Sequence, residues 1–346
     1  MKIGIINPYF ETLGGGERYV LTIAKCLLRG NEVDIFWDDR FLAEKALQKF
    51  NISLEGVNFV HSKINLFNKL ILAKYDAIFY VTDGSLFFSP AKRNLLIVQS
   101  PAHLPAKTLI NNLKLKNWSL VCYSKFMARI VKSRLGISAT VLFVPVNLND
   151  FKSGKKENII LSVGRFFPWL HQKKQEVLIK AFRKMLKDGL DGWELYLVGS
   201  VDPGAANYLK NIKKSASGLP VKILVDVSFS RLRDLYSKTK IYWHAAGFGE
   251  DLEKYPEKAE HFGVSTVEAM AAGCVPVVFG GGGQLEVVEH GINGFLWKSE
   301  EELMDGTMKI INDPERWQTL SLMARKRAQD FSQEKFCQKI HEIIKS

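Results

Sequence analysis

Apolar residues along this chain follow two rhythms. Short runs rich in β-branched and aromatic residues, such as "KIGIIN" at 2–7 and "EVDIFW" at 32–37, have the composition of strands. Between them "GGGERYVLTIAKCLLRG" at 14–30 spaces its apolar positions three and four apart, the period of a helix packed on one side. The alternation continues through "DAIFYVT" (76–82), "NLLIVQS" (94–100), "SLVCYS" (119–124) and "TVLFVPV" (140–146). A polar stretch with Gly and Lys, "NDFKSGKKEN" at 149–158, then interrupts it. Beyond it "IILSVGR" (159–165) leads into the helical pattern "KQEVLIKAFRKMLKDG" (174–189), followed by "WELYLVG", "VKILVD", "KIYWHAA" and "CVPVVF". Strand and helix in turn predict βαβ units, hence an α/β fold with mostly parallel sheets. Two such domains are expected, 1–150 and 151–330, with the boundary near 148–157. The tail 331–346 carries Phe336, Ile340, Ile343 and Ile344 at helical spacing and needs a surface to pack on.

Length and composition agree with that division. The 346 residues suit two domains of about 100–200 residues, and 47% hydrophobic with 24% charged residues is ordinary for a globular chain. No stretch approaches the ~18 uninterrupted apolar residues of a membrane span, and the opening "MKIGIINPYF" has the character of a first strand, not of a secretory leader. The four cysteines, Cys26, Cys122, Cys274 and Cys337, stand far apart without a CxxC pair. They are expected as reduced thiols in a cytoplasmic protein, with neither zinc site nor disulfide frame. The net charge of +12 lies mainly in the first half, where 19 basic residues face 11 acidic ones in 1–150. Nucleic acid, an anionic membrane surface or a phosphorylated substrate would each suit that excess.

Three glycine-bearing turns follow strands. In "LGGGERYV", Gly14 and Gly16 fit GxG, but Tyr19 occupies the third position of the dinucleotide fingerprint, although Asp34 lies near the place of its ribose-binding acid. In "VGRFFPWLHQKKQEVLIKAF", Arg165 leaves a strand directly and Lys173 and Lys174 open the next helix. Cations at a helix N-terminus oppose the macrodipole by a few tenths of about 1 kcal/mol, so their presence suggests an anion to be gathered. In "EKAEHFGVSTVEAMAAGCVPVV" (257–278), Ser265 and Glu268 match a capping box, which explains Glu268 as helix punctuation. It does not explain Glu260, eight positions earlier. "FGGGGQLEVV" supplies a further glycine turn at 280–283. Loops at the carboxyl ends of parallel strands converge, so 165–174, 260–268 and 280–283 should meet and offer cations, amide groups and two carboxylates. That set suits a nucleoside diphosphate whose sugars present hydroxyls.

The motifs in this order resemble the retaining glycosyltransferases of family four, the group 1 glycosyl transferases. "GGGE" is similar to that family's GGxE turn, and "VGRFFPWLHQKKQEVLIKAF" to its GR…K block with about three extra residues before Lys173. "EHFGVSTVEAMAAGCVPVV" is similar to its E-x7-E signature, with "GGGGQLEVVEHGINGFLW" following. The wording "WHAAGFGEDLEKYPEKAEHFG" is similar to that of α-mannosyltransferases acting on lipid-linked oligosaccharides and of their prokaryotic relatives.

The resemblance implies the GT-B fold, two Rossmann-like domains facing across a cleft, with the last helix (331–346) crossing back to the first domain. It implies a hexosyltransferase, for mannose by the local wording, with a GDP- or UDP-linked sugar as donor and a glycan or lipid-linked acceptor. Arg165 and Lys173 would bind the diphosphate, with Lys174 beside them. Amides around Gly263, Val264 and Ser265 would hold the distal phosphate, Glu268 the ribose hydroxyls, and Glu260 the transferred sugar. Gly15 and Gly16 would line the cleft from the other domain. At the place of a histidine frequent in relatives the chain has Gln99, with His103 nearest; His103 and His244 are open between site and surface or core roles. No DxD occurs, so no cofactor and no metal are expected, the protein supplying the cations itself. A lipid-borne acceptor would give "LPAKTLINNLKLKNW" (104–118) a place on an anionic cytoplasmic membrane face, where each basic residue contributes on the order of 1 kcal/mol; a domain helix with snorkelling lysines is the other reading. A nucleotide-sugar epimerase or a disaccharide synthase of the same fold would use similar phosphate groups. A non-catalytic nucleic-acid module would need base-stacking aromatics, of which "LINNLKLKNW" has only Trp118.

Overall fold

The computed structural model describes residues 1–345 apart from 40, 61–68, 170, 171 and 203. Leu170 and His171 of the "VGRFF" block and the terminal Ser346 therefore lie outside the described residues. The chain folds as two units, Met1–Pro145 with Gln333–Ser346, and Val146–Ser332.

In the first unit the β-branched runs form seven parallel strands: β1 Lys2–Ile6, β2 Glu32–Phe36, β3 Val57–Val60, β4 Ala77–Val81, β5 Arg93–Val98, β6 Ser119–Cys122 and β7 Ala139–Val141. Their order is 3-2-1-4-5-6-7. The register is regular, with Ile5 opposite Ile35 on one side and Phe79 on the other. Central strands are buried on both faces, as a sheet covered by helices on each side requires, which is why they read as continuous apolar runs.

Asp34 sits inside this sheet. It accepts the Tyr75 hydroxyl at 2.6 Å and Asn58 Nδ2 at 3.0 Å, with Lys2 Nζ at 3.3 Å. A carboxylate committed to three donors in the core is an anchor for β1, β2 and β3, not a ribose ligand.

The C-terminal helix Gln333–Lys345 belongs to the first unit and buries Phe336, Ile340 and Ile344 there. It packs on the helix Gly15–Leu27, where the Phe336 ring meets Tyr19 edge-on. Cys337 is joined to Cys26 by a disulfide across this contact. The expectation of four reduced thiols is thus corrected. A separation of 311 residues along the chain says nothing about distance once the last helix docks on the first, and Cys122 and Cys274 stay as buried thiols outside any disulfide.

The second unit has six parallel strands: β8 Glu157–Val163, β9 Glu194–Gly199, β10 Val221–Val225, β11 Thr239–His244, β12 Val275–Phe279 and β13 Phe295–Trp297. Their order is 10-9-8-11-12-13. The core on one face is built on Trp243, Phe182, Leu178 and Trp297, all fully buried. The indole N–H of Trp243 is satisfied by Thr307 Oγ1 at 2.9 Å, so this large side chain leaves no polar atom stranded. Of the short edge strands, β3 and β13 were not anticipated from the sequence.

The disulfide yields a stability prediction. Cys337→Ser lowers unfolding free energy in oxidising buffer by about 2–4 kcal/mol, and wild type and variant become equal once reductant is added. Urea denaturation with and without dithiothreitol checks it; equal stability in oxidising buffer would refute the bridge.

Candidate functional site

In the order 10-9-8-11-12-13 the connections run one way from β8 and the other way from β11, so the loops after these neighbouring strands part and leave a crevice at their carboxyl ends. The loop after β8 carries Arg165, Lys173 and Lys174; that after β11 carries Glu260 and leads to the helix Val264–Ala271; that after β12 carries Gly280–Gly283.

Side chains alternate along β11. Trp243 points into the core, and Tyr242 and His244 share the other face. His244 Nε2 lies 3.0 Å from Glu260 Oε2, and Lys173 Nζ lies 2.5 Å from the same oxygen. His244 is 1% exposed, Glu260 16% and Lys173 20%. Burial pushes the Glu260 carboxyl up, but the Lys173 ammonium and the His244 bond outweigh it and hold the group well below the usual carboxylate range. Burial also lowers the His244 imidazole below its ordinary value, against the pull of Glu260. Neutral His244 then donates Nε2–H to Glu260, and its Nδ1 is buried with no hydrogen-bond partner among the described residues.

The second carboxylate is built differently. Glu268 is buried and accepts the Tyr236 hydroxyl at 3.1 Å. Tyr242 donates to Ser265 Oγ at 2.7 Å. Burial raises the Tyr242 phenol, and the charges of Glu260 and Glu268 add to that rise, so one ring lies in the field of both acids.

The capping-box reading of Ser265 and Glu268 is corrected by these contacts. Gly263 is the N-cap, at φ +108° that a side chain rarely tolerates, and it starts the helix at Val264, one residue before Ser265 could cap it. Ser265 therefore lies within the first turn, where its hydroxyl serves Tyr242, and Glu268 lies beyond that turn. The amides of Gly263, Val264 and Ser265 stand at a helix N-terminus, where the first N–H groups have no carbonyl one turn back.

The glycine turn after β12 supports the site through packing. Gly283 N–H donates to the Glu260 carbonyl at 2.7 Å. A Cβ at Gly283 would lie 2.4 Å from the His261 carbonyl oxygen and 2.5 Å from Phe262 Cα, so the turn fits flush against the segment that carries Glu260.

The two lysines part company. Lys174, at φ +54°, pairs with Glu250 at 2.7 Å, and Lys258 holds the other Glu250 oxygen at 2.6 Å. Arg165 pairs with Asp202 at 2.9 Å, half exposed, and lies over the Phe167 ring. Asp202, Glu250, Tyr236 and Tyr242 were all missed in the sequence. Glu250 stands in the quoted "GFGEDLEKYPEK", but nothing there distinguishes it from a solvated acid.

Gly15 and Gly16 belong to the first unit, at the start of the helix Gly15–Leu27. Glu17 of "GGGE" accepts from Gly14 N–H at 2.6 Å and Thr12 Oγ1 at 2.7 Å, which makes it a cap for its own turn. Gln99 donates to the Gly16 carbonyl at 3.2 Å, and a Cβ at Gly16 would collide with it. His103 stacks on Tyr9 with centroids 5.4 Å apart, and burial lowers its imidazole.

The family model for glycosyl transferases group 1 matches residues 146–327, the interval that holds Arg165, Lys173, Glu260 and Glu268. The chain belongs to that family. Curated relatives of this group 1 chain include several named GDP-Man:Man(3)GlcNAc(2)-PP-Dol alpha-1,2-mannosyltransferase. That of Neurospora crassa is 27% identical over 210 residues, 56% of this chain and 34% of that protein. That of Dictyostelium discoideum is 26% identical over 235 residues, 62% of this chain and 44% of that protein. The matches thus span less than half the length of these relatives. Among solved structures, Anabaena HepE in complex with UDP aligns with a TM-score of 0.75 at 19% identity, covering 100% of both chains. A glycosyltransferase from Rickettsia africae aligns with 0.76 at 18%, covering 99% and 97%. At such identities the likeness concerns the fold, which is GT-B.

Glu260→Gln tests the charge assignment. The native carboxyl lies below its unfolded value of 4.5, so its stabilisation is complete above about pH 4.5 and is lost as pH falls through the folded value. The variant's deficit, about 3 kcal/mol near neutrality, should shrink only below pH 4.5 in urea titrations; a deficit constant down to pH 3 would show that the fold does not lower the Glu260 carboxyl, and one that changes between pH 4.5 and 7 would show that it is held neutral. Gly283→Ala is expected to abolish turnover by displacing the Glu260 segment, read by activity beside circular dichroism; full activity would dissociate that turn from the site.

Proposed function

We propose that the chain is a retaining, metal-independent hexosyltransferase, for mannose by likeness to the curated relatives, moving the sugar from a nucleotide-diphosphate donor to a sugar or lipid-linked acceptor. The observation that carries this reading is the convergence of Lys173, His244 and Glu260 at the switch point of a parallel sheet, beside a helix N-terminus followed by Glu268. Breaking the bond between sugar and diphosphate moves negative charge onto the leaving phosphate. Groups oriented in advance toward that charge lower the barrier, because no solvent need reorganise.

Lys173 suits that role, because an ammonium has three donors and the Glu260 bond leaves capacity for a phosphate oxygen. The Arg165–Asp202 pair is solvent-exposed, so exchanging Asp202 for a diphosphate costs little. Amides at Gly263, Val264 and Ser265 favour the distal phosphate. Glu268, backed by the Tyr236 hydroxyl, keeps acceptor capacity for ribose hydroxyls. Ionised Glu260, in reach of neutral His244, supports sugar hydroxyls and positive charge building at the anomeric carbon. These cations make a divalent ion redundant, and Lys174, held by Glu250, acts on the loop more than on the ligand. In the first unit the helix Leu109–Leu115 exposes Leu109, Ile110 and Leu113, which favours contact with an anionic membrane near a lipid-borne acceptor. Among the described residues no helix is long and apolar enough to cross a membrane.

Thermal-shift ranking of GDP-, UDP- and ADP-sugars names the donor, since a ligand bound to the native state raises Tm. Glu268→Ala should raise the donor KM about tenfold or more, the loss expected from charge-assisted hydrogen bonds; a variant with wild-type donor KM would sink the ribose assignment. Turnover should survive EDTA, and proton NMR of the first product should find the donor's anomeric configuration preserved.

A further inference from the structure

Glu250 gives each of its carboxylate oxygens to a different lysine, Oε1 to Lys174 Nζ at 2.7 Å and Oε2 to Lys258 Nζ at 2.6 Å. Its side chain is 18% exposed and that of Lys174 16%, so this pair is largely shielded from water and screened less than a surface pair. Lys174 follows Lys173 directly, and Lys258 precedes Glu260 by two residues. Lys173 Nζ in turn meets Glu260 Oε2 at 2.5 Å. Three ion pairs and two short pieces of chain thereby close a ring, from Lys173 through Lys174, Glu250 and Lys258 to Glu260 and back.

The ring has a fixed base. Glu250 stands two residues after Phe248, whose ring packs on Trp297 with centroids 5.1 Å apart and on Phe279 at 5.8 Å. Gly247 and Gly249 take φ of +91° and +76°, which lets the chain turn on both sides of that anchor. Lys174 is held under strain. It is a non-glycine residue at φ +54°, in the left-handed region, as the N-cap of the helix Gln175–Lys187. Such a conformation persists where the surroundings over-determine it, and the Glu250 pair is one contact that does so. Lys173 and Glu260 lie on loops after different strands, β8 and β11, and a single ion pair leaves an ammonium free to swing about its oxygen. A second tie one residue away removes that freedom.

We propose that Glu250 is a positioning residue of the donor crevice: by holding Lys174 and Lys258 together it sets the approach of Lys173 to Glu260, and keeps it when Lys173 turns toward a diphosphate. The catalytic consequence rests on the transferase reading of Lys173 and Glu260, whereas the tie itself does not. Glu250 touches no reacting atom. Its loss lowers the rate of the step in which leaving-group charge builds, and leaves ground-state binding of the donor by Glu268, Arg165 and the amides of 263–265 nearly intact.

Two measurements on the full-length protein test this. Without donor, the carboxyl carbons of isotope-labelled glutamate are followed by NMR from pH 7 to pH 4, the Glu260 signal being identified by its loss in Glu260→Gln. Glu250→Gln removes a negative charge near Glu260, which through space alone lowers the Glu260 midpoint; loosening Lys173 raises it, by about 1 pH unit. With GDP-mannose, release of GDP to water is measured at steady state. In Glu250→Gln kcat should fall about tenfold while the donor KM stays within about twofold of wild type. Both results together support the proposal. A Glu260 midpoint unmoved or lowered overturns it, as does an unchanged kcat or a loss seen in KM alone. If the wild type releases no GDP, the transferase reading fails for this donor and the NMR titration alone decides the role of Glu250. Should Glu250→Gln not fold, Lys258→Gln, at a position 38% exposed, takes its place under the same criteria.

Discussion

The second unit turns on a single carboxylate oxygen, Glu260 Oε2, that receives both Lys173 Nζ and His244 Nε2. A carboxylate largely removed from water keeps its charge only when opposite charge and hydrogen bonds replace the hydration it lost. Here both replacements come from different strands: Lys173 from the loop after β8, His244 from the end of β11. Since β8 and β11 are neighbours only because the sheet reverses its strand order there, the ionisation of Glu260 is a consequence of topology. The bond from Gly283 N–H to the Glu260 carbonyl brings β12 into the same dependence. Three loops distant in sequence are thus tied through one acidic residue.

The other acid follows a different logic. Glu268 meets hydroxyls, from Tyr236 directly and with Tyr242 in its field, where Glu260 meets a cation and an imidazole. Eight residues of chain therefore separate two electrostatically unlike acceptors, and the Gly263 turn is what allows one to sit on a loop and the other on a helix.

The pattern of apolar runs was enough to indicate an α/β fold with mostly parallel sheets, because strands buried on both faces leave short continuous Val, Ile and Leu runs between helical stretches. β3 and β13, of four and three residues, show no period, whereas the equally short β7 was visible because it opens the longer apolar run 140–146. The spacing of Glu260 and Glu268 was legible because both lie within one local motif. Their partners were not, since Tyr236, Tyr242, Asp202 and Glu250 look like any polar residue until the sheet brings them in. Local rules also misled. The sequence at 265–268 satisfies a capping box, but the left-handed Gly263 begins the helix at Val264, and tertiary hydrogen bonds claimed both side chains. The Cys26–Cys337 pair lay outside any spacing rule, being made by the docking of the last helix on the first.

The distribution of charge separates two uses of cations. In the second unit each basic residue of the crevice already has an acid: Lys173 has Glu260, Lys174 has Glu250, Arg165 has Asp202. A compensated cation holds its place in the absence of ligand and can exchange partners, which suits a crevice that must take up and release an anion in every turnover. In a cavity of the first unit Lys339 has Glu342, but Lys116, Lys92 and Arg93 meet no acid on its wall. Lys92 finds Asp76 from an exposed position, where the pair is worth at most about 1 kcal/mol. Arg93 is held by backbone carbonyls instead, so this wall has no comparable exchange of acid partners.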